Sequence, residues 1–154
     1  CNPKMLFADE PTTALDVTVQ AQVLELLAEL RKELGMAMVI ITHDLGVVAG
    51  YTDRIAVMYG GEIVELASTT DLFTDTKMPY TEALIKSIPR VDRKRGSELA
   101  SIEGMPPDPT KVRASCGFAD RCPYAVQKCR DEHPELVEAS NGHQYRCFFP
   151  IGGK

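Results

Sequence analysis

The 154-residue chain has no apolar run approaching the roughly 20 residues that span a bilayer, so association with a membrane is expected only through a protein partner. It has no basic excess. Its 17 Lys+Arg stand against 22 Asp+Glu, which gives no reason to expect nucleic acid as a partner. No Gly-x4-Gly-Lys-[Ser/Thr] phosphate loop occurs, and the terminal Gly152-Gly153-Lys154 does not qualify. The cysteines form no short C-x2-4-C knuckle of the structural-zinc kind. No signal peptide is visible, and the expectation is a cytosolic chain. Cys1-Asn2-Pro3 leads almost at once into an apolar strand, as expected of the C-terminal portion of a longer protein. What is present fits a globular domain able to bury a core, with 44% hydrophobic and 25% charged residues.

The chain is organised around Lys4-Met5-Leu6-Phe7-Ala8-Asp9-Glu10, an apolar run that ends in two adjacent carboxylates. Taken alone, the dipeptide reads as a solvated turn after a core strand. In open α/β sheets, however, ligands sit beyond the carboxyl ends of the strands. Phosphoryl-transfer sites need one carboxylate for Mg²⁺ and a group that positions the attacking water. Residues leaving a strand point in different directions, so Asp9 is free to face a metal while Glu10 faces water.

From Val17 to Leu34, Val19, Val23, Leu26, Leu27, Leu30 and Leu34 recur at helical spacing, which predicts an amphipathic helix with one buried stripe. Asp16 is placed to cap it and Gly35 to end it. Residues 36–42 predict a strand buried on both sides. Strand, helix, strand implies a parallel crossover, so both strands end at one edge and His43 arrives beside Asp9 and Glu10. There an imidazole can hydrogen-bond a terminal phosphate and sense its loss. Further on, residues 44–51 predict a short helix, and 53–59 with 62–67 a hairpin turning at Gly60-Gly61. Residues 68–73 and 79–88 predict two short helices, the second with Pro79 in its first turn.

These motifs carry a resemblance. Met5-Leu6-Phe7-Ala8-Asp9-Glu10 resembles the Walker B motif of ABC-type ATPases. Thr13-Ala14-Leu15-Asp16 resembles their D-loop, with Thr13 where many members have Ser, and Thr42-His43-Asp44 resembles their switch-histidine strand. The Leu-Ser-Gly-Gly-Gln signature of the family is missing, as is the phosphate loop. Residues 53–59 and Met78-Pro79-Tyr80-Thr81 are similar to stretches of the oligopeptide/dipeptide importer ATPases. The fold class expected is α/β: residues 1–89 as the C-terminal part of an ABC-type P-loop ATPase domain, and 90–154 as a linker with a small Cys-rich, loop-rich extension.

Arg90, Arg93, Lys94 and Arg95 form a basic patch read as a solvated tether. Ile102-Glu103-Gly104-Met105-Pro106-Pro107-Asp108-Pro109 excludes a helix or central strand and reads as a linker or wrapping arm. Cys116, Cys122, Cys129 and Cys147 follow it, spaced C-x5-C-x6-C-x17-C. In a reducing cytosol such a cluster reads as metal binding, holding zinc or a [4Fe-4S] cluster, with free or oxidised thiols as the remaining option. Wide gaps and the Cys122-Pro123 step suit the cluster. The segment also resembles the extension of peptide-importer ATPases in which four cysteines hold a [4Fe-4S] cluster. His133 and His143 are spare ligands more readily taken as surface residues, and Cys1 as a buried thiol apart from the group.

The resemblance implies an ATP-hydrolysing subunit that energises peptide uptake from the cytoplasmic face of the membrane. Two such subunits sandwich ATP and drive two transmembrane permease subunits, while an extracytoplasmic binding protein delivers the peptide. Asp9 then binds Mg²⁺ through water, Glu10 acts as general base or orients water, His43 contacts the γ-phosphate and Asp16 links the two sites across the dimer. Without a phosphate loop the chain alone is expected to be inactive. Rival readings are an ATPase of the same type serving nickel or another solute, a metal-binding interaction module with an inactive ATPase remnant, and, more distantly, a redox protein.

Overall fold

The computed structural model describes residues 2–88, 101–108 and 114–152. The basic patch at residues 90–95 and Cys1 lie outside the described residues. The chain forms two compact units, Cys1–Thr52 and Asp53–Lys154. The division therefore falls ahead of the hairpin rather than at the linker.

In the first unit, β1 (Met5–Asp9) runs parallel to β2 (Ala37–Ile41), in register from Met5↔Ala37 to Asp9↔Ile41. The crossover between them is α1 (Val17–Leu34), and a single turn, α2 (Leu45–Val48), follows β2. Asp16 Oδ1 accepts the N–H groups of Thr18 and Val19, each at 3.0 Å. Gly35 ends the helix with φ 60°, the left-handed conformation that favours glycine.

Two expectations about burial need correction. The fully buried residue of α1 is Leu24, whereas Leu26, Leu34 and Val19 are exposed. The inward face runs through Gln20, Val23, Leu24, Leu27, Ala28, Leu30 and Arg31, so Val23, Leu27 and Leu30 of the expected stripe turn inward and the rest of it does not. The strands, expected to be buried on both sides, have one open face: Met5, Phe7, Val39 and Ile41 are exposed. The parallel register puts these side chains on the same side of the pair. A parallel sheet is buried only where both faces are covered, and this one has two strands and one crossover helix.

In the second unit, β3 (Arg54–Tyr59) and β4 (Glu62–Ser68) form the expected antiparallel hairpin. Met58 faces Ile63 but Val57 faces Glu65, leaving Val64 as an extra, bulged residue. Then come α3 (Thr69–Thr74) and α4 (Pro79–Ser87). Ser68 caps α3, its Oγ accepting from Asp71 N at 3.0 Å. After the linker, a 3₁₀ turn at Ala119–Arg121 precedes α5 (Gln127–Asp131), β5 (Val137–Glu138) and β6 (Gln144–Tyr145). β6 pairs with β4, giving the strand order β3-β4-β6-β5. The Cys-rich segment thus completes the hairpin's sheet. Leu72, Met78, Phe118, Ala67 and Val64 form the core of this unit. The rings of Tyr59, Tyr80 and Phe118 meet there, with centroids 4.5 to 5.3 Å apart.

The proline-rich stretch behaves as a wrapping arm. Arg121 donates to the carbonyls of Ile102 and Glu103 at 2.7 and 2.9 Å, and to the Tyr59 hydroxyl at 3.2 Å.

Candidate functional site

Because β1 and β2 are parallel and in register, the residues that follow them emerge side by side. Glu10 N–H still bonds Ile41 O at 2.8 Å. At Glu10 the backbone turns into the left-handed region, φ 45°, and Ala14 does the same at φ 63°. Non-glycine residues enter this region at a cost, and such positions gather at functional sites. The turn carries the Glu10 carboxylate to His43, whose Nδ1 lies 2.9 Å from Oε1. The other oxygen, Oε2, accepts from the Thr13 hydroxyl at 2.5 Å. Glu10 is thereby held between the strand's neighbour and its own loop.

Both groups of the pair are exposed. The Thr13 hydroxyl, and after it the His43 ring, hold the Glu10 carboxyl below its ordinary value. The hydrogen bond accepted by Glu10, and then the charge of its carboxylate, raise His43 above its ordinary value. Asp9 stands exposed at the end of β1. Asp16 does not join the pair; its carboxylate is engaged with the first turn of α1. Of the four residues singled out around the strand ends, the structure brings Glu10 and His43 into contact. The part of Thr13 does not follow from the sequence, because its bond depends on the left-handed turn at Glu10.

A second constellation lies in the other unit. Cys116, Cys122, Cys129 and Cys147 are free thiols, and all four line one small cavity of about 20 Å³. Met78, Pro79, Phe118, Ala119, Tyr124, Phe148 and Phe149 complete its wall. Backbone bonds set three of the cysteines: Cys116 N–H donates to Cys129 O at 3.0 Å, Ala125 N–H to Cys122 O at 3.2 Å, and Cys129 N–H to Val126 O at 3.0 Å. Cys147 arrives on the far side of β6, just after Arg146 N–H bonds Val64 O at 2.8 Å. Burial in this apolar wall pushes the thiols of Cys116 and Cys122 up, and that of Cys147 up to about 11. Among the described residues no three His, Cys, Asp or Glu side chains stand in metal-ligating geometry. Four thiols from separate turns share one cavity, and thiol donors are those that thiophilic metals select.

The two histidines near this segment are not surface residues. His143 is buried, and its Nε2 lies 2.8 Å from Oε1 of Glu65, itself wholly buried. His133 is half-buried, with Nε2 3.0 Å from Glu62 Oε2. Both are engaged within the sheet and neither lines the cavity.

The class is thus a mixed α/β chain, with an acid–imidazole pair at the carboxyl edge of parallel strands and a four-cysteine cavity beside an antiparallel sheet. Its likeness to the ATP-binding subunits of oligopeptide/dipeptide ABC importers runs along nearly its whole length. Residues 64–129 match the family described as "Oligopeptide/dipeptide transporter, C-terminal region". The chain is 50% identical to the probable peptide ABC transporter ATP-binding protein y4tR of Sinorhizobium fredii, over 96% of this chain and 44% of that protein. It is 49% identical to the oligopeptide transport ATP-binding protein AppD of Bacillus subtilis, over 96% of this chain and 45% of that one. With the oligopeptide transport ATP-binding protein OppD of Salmonella typhimurium it shares 46%, over 98% and 44%. The chain therefore spans less than half the length of these curated relatives. Among solved structures, cbiO1 of Clostridium perfringens, part of the ABC transporter complex cbiONQ, matches with a TM-score of 0.44 at 38% identity. That match covers 46% of this chain and 28% of cbiO1, too little to decide a fold.

Proposed function

We propose that this chain forms the hydrolytic edge of an ATP-hydrolysing ABC subunit that energises uptake of oligopeptides or dipeptides. The observation that carries the reading is the contact at the ends of two adjacent parallel strands, Glu10 Oε1 to His43 Nδ1 at 2.9 Å. In this reading ATP comes with Mg²⁺, which Asp9 holds through water. Glu10 takes a proton from the attacking water or orients that water, and as an ionised carboxylate it is an acceptor at neutral pH. His43 donates to the γ-phosphate. Asp16 links the two sites when a second ATPase subunit closes on the first. The assembly sits on the cytoplasmic face of the membrane against two permease subunits, with an external protein delivering the peptide. Among the described residues no helix is long and apolar enough to cross a membrane, in keeping with attachment through partners.

In a protein of the relatives' full length, Glu10→Gln is expected to lower ATP turnover by about two to four orders of magnitude while ATP binding persists. Near-normal turnover would remove Glu10 from its assigned part. Transport assays with labelled peptide and with nickel separate the peptide reading from its nickel rival.

The shared cavity favours a companion reading: the four cysteines hold a metal centre. Resemblance and the wide cysteine spacing point to [4Fe-4S], with zinc as the alternative. Bound there, the metal cross-links Cys116, Cys122 and Cys129 to Cys147, fixing the extension against the sheet. Anaerobic purification with iron, sulfide and zinc assays decides the identity. Stoichiometric zinc without sulfide eliminates the cluster, and no metal at all eliminates the centre.

A further inference from the structure

The cysteine cavity is assembled from three separate pieces of chain: the turn-rich stretch 116–129, the strand that delivers Cys147, and the Met78–Pro79 step at the start of α4. One side chain that lines none of the cavity ties two of these pieces together. Glu65, on the bulged part of β4, is wholly buried. Its Oε1 accepts the Lys77 N–H at 2.6 Å and the His143 Nε2–H at 2.8 Å, and its Oε2 accepts the Met78 N–H at 3.2 Å. Two backbone donors and an imidazole supply the partners that a buried carboxylate requires. The ladder then continues from this point. Glu65 faces Tyr145 in the β4–β6 pairing, Arg146 N–H bonds Val64 O, and Cys147 is the next residue.

We propose that Glu65 is a positioning residue for the four-cysteine site, setting the distance between the strand bearing Cys147 and the Met78–Pro79 wall. The proposal rests on the metal-centre reading above. Its chemistry is specific to a carboxylate. Three donors converge on two oxygens, and the Gln amide offers one oxygen plus an NH2 that faces donors rather than acceptors. The bulge at Val64 is what turns Glu65 inward; with regular pairing the residue would fall elsewhere in the alternation. Outer residues that orient metal ligands typically alter metal affinity by about 10–100-fold when replaced.

The test is Co²⁺ binding to the reduced full chain, followed by the thiolate-to-cobalt charge-transfer band and its titration. Wild type is expected to bind one Co²⁺ with a thiolate band. Glu65→Gln and His143→Phe are expected to bind about 10–100-fold more weakly with an altered band shape. His143→Gln, which restores an N–H donor, is expected to recover much of the affinity, and Glu138→Gln on the exposed β5 to leave it unchanged. Should Glu65→Gln fail to fold, the His143 pair alone decides the matter. Wild-type affinity and band shape in both Glu65→Gln and His143→Phe overturn the positioning role and leave the metal centre standing. If wild type shows no thiolate band, the same variants are compared by the iron and sulfide they retain on anaerobic purification; a wild type that holds no metal in either assay overturns the metal centre, and the positioning role with it.

Discussion

At the scale of single residues, the Glu10–His43 contact predicts a pH signature. Glu10 is shifted down from an ordinary 4.5, chiefly by Thr13, and His43 up from an ordinary 6.5, chiefly by Glu10. Both groups are therefore charged from below pH 4.5 to above pH 6.5. What protonated His43 contributes to the native state is complete below 6.5 and lost as pH rises through its raised value. What ionised Glu10 contributes is complete above 4.5 and lost as pH falls through its lowered value. In an NMR titration, the His43 midpoint is expected above 6.5 in the wild type and to move down towards it in Glu10→Gln. An unmoved midpoint would mean that the two side chains do not meet in solution. The meeting of Glu10 and His43 was legible because chain order and strand polarity bring strand ends together. The Thr13 bond was not, since it depends on Glu10 entering the left-handed region, a conformation that residue type does not announce.

At the scale of elements, caps and turns were the most legible features because their chemistry is local. Asp16 and Gly35 bound α1 where the sequence placed them, and Pro79 opens α4. Burial was the least legible. The apolar spacing of α1 fits more than one stripe, and the neighbouring elements select the one through Leu24. Glu65 was invisible for a related reason: its inward position comes from a one-residue bulge, and strand alternation carries no mark of that. Two glycines make an element-level prediction with an internal control. At Gly35, φ is 60° and an added Cβ meets nothing within 4 Å, so alanine is expected to cost about 1 kcal/mol from conformation alone. At Gly152, φ is 75° and a Cβ would lie 2.7 Å from Thr76 O, adding a clash with backbone. Thermal melts of the two alanine variants should show Gly152→Ala as the more destabilising within its own unit. Equal effects would indicate that residues 151–152 do not dock beside Thr76.

On the scale of the whole molecule, the open face of β1 and β2 dominates behaviour in solution. Among the described residues, Met5, Phe7, Val39 and Ile41 form an exposed apolar surface on a two-stranded sheet whose outer edges have no strand partner. Such surfaces and edges promote association. The chain by itself is expected to self-associate with rising concentration, and Phe7→Glu to suppress this in sedimentation velocity. A strictly monomeric wild type at high concentration would contradict the exposure of that face. The same chain, lacking a phosphate loop, is expected to show no measurable ATPase activity on its own. The sequence also read the Cys-rich segment as a separate appendage, and its texture from Arg90 onward supports that division. In the structure β6 adds to β4, so two short strands of the segment join the hairpin's sheet. Texture reports composition, and pairing between distant segments leaves no local trace.

The bond between His143 and Glu65 closes a loop of 78 residues. Closing a long loop costs more entropy than closing a hairpin, and contacts of wide sequence separation form slowly. The hairpin of β3 and β4 therefore has its ladder before the tail returns to it, and until that moment Glu65 lacks its imidazole partner. The last third of the chain is in this sense a late arrival, and pulsed hydrogen exchange during refolding should find the amides of β3 protected ahead of those of β6.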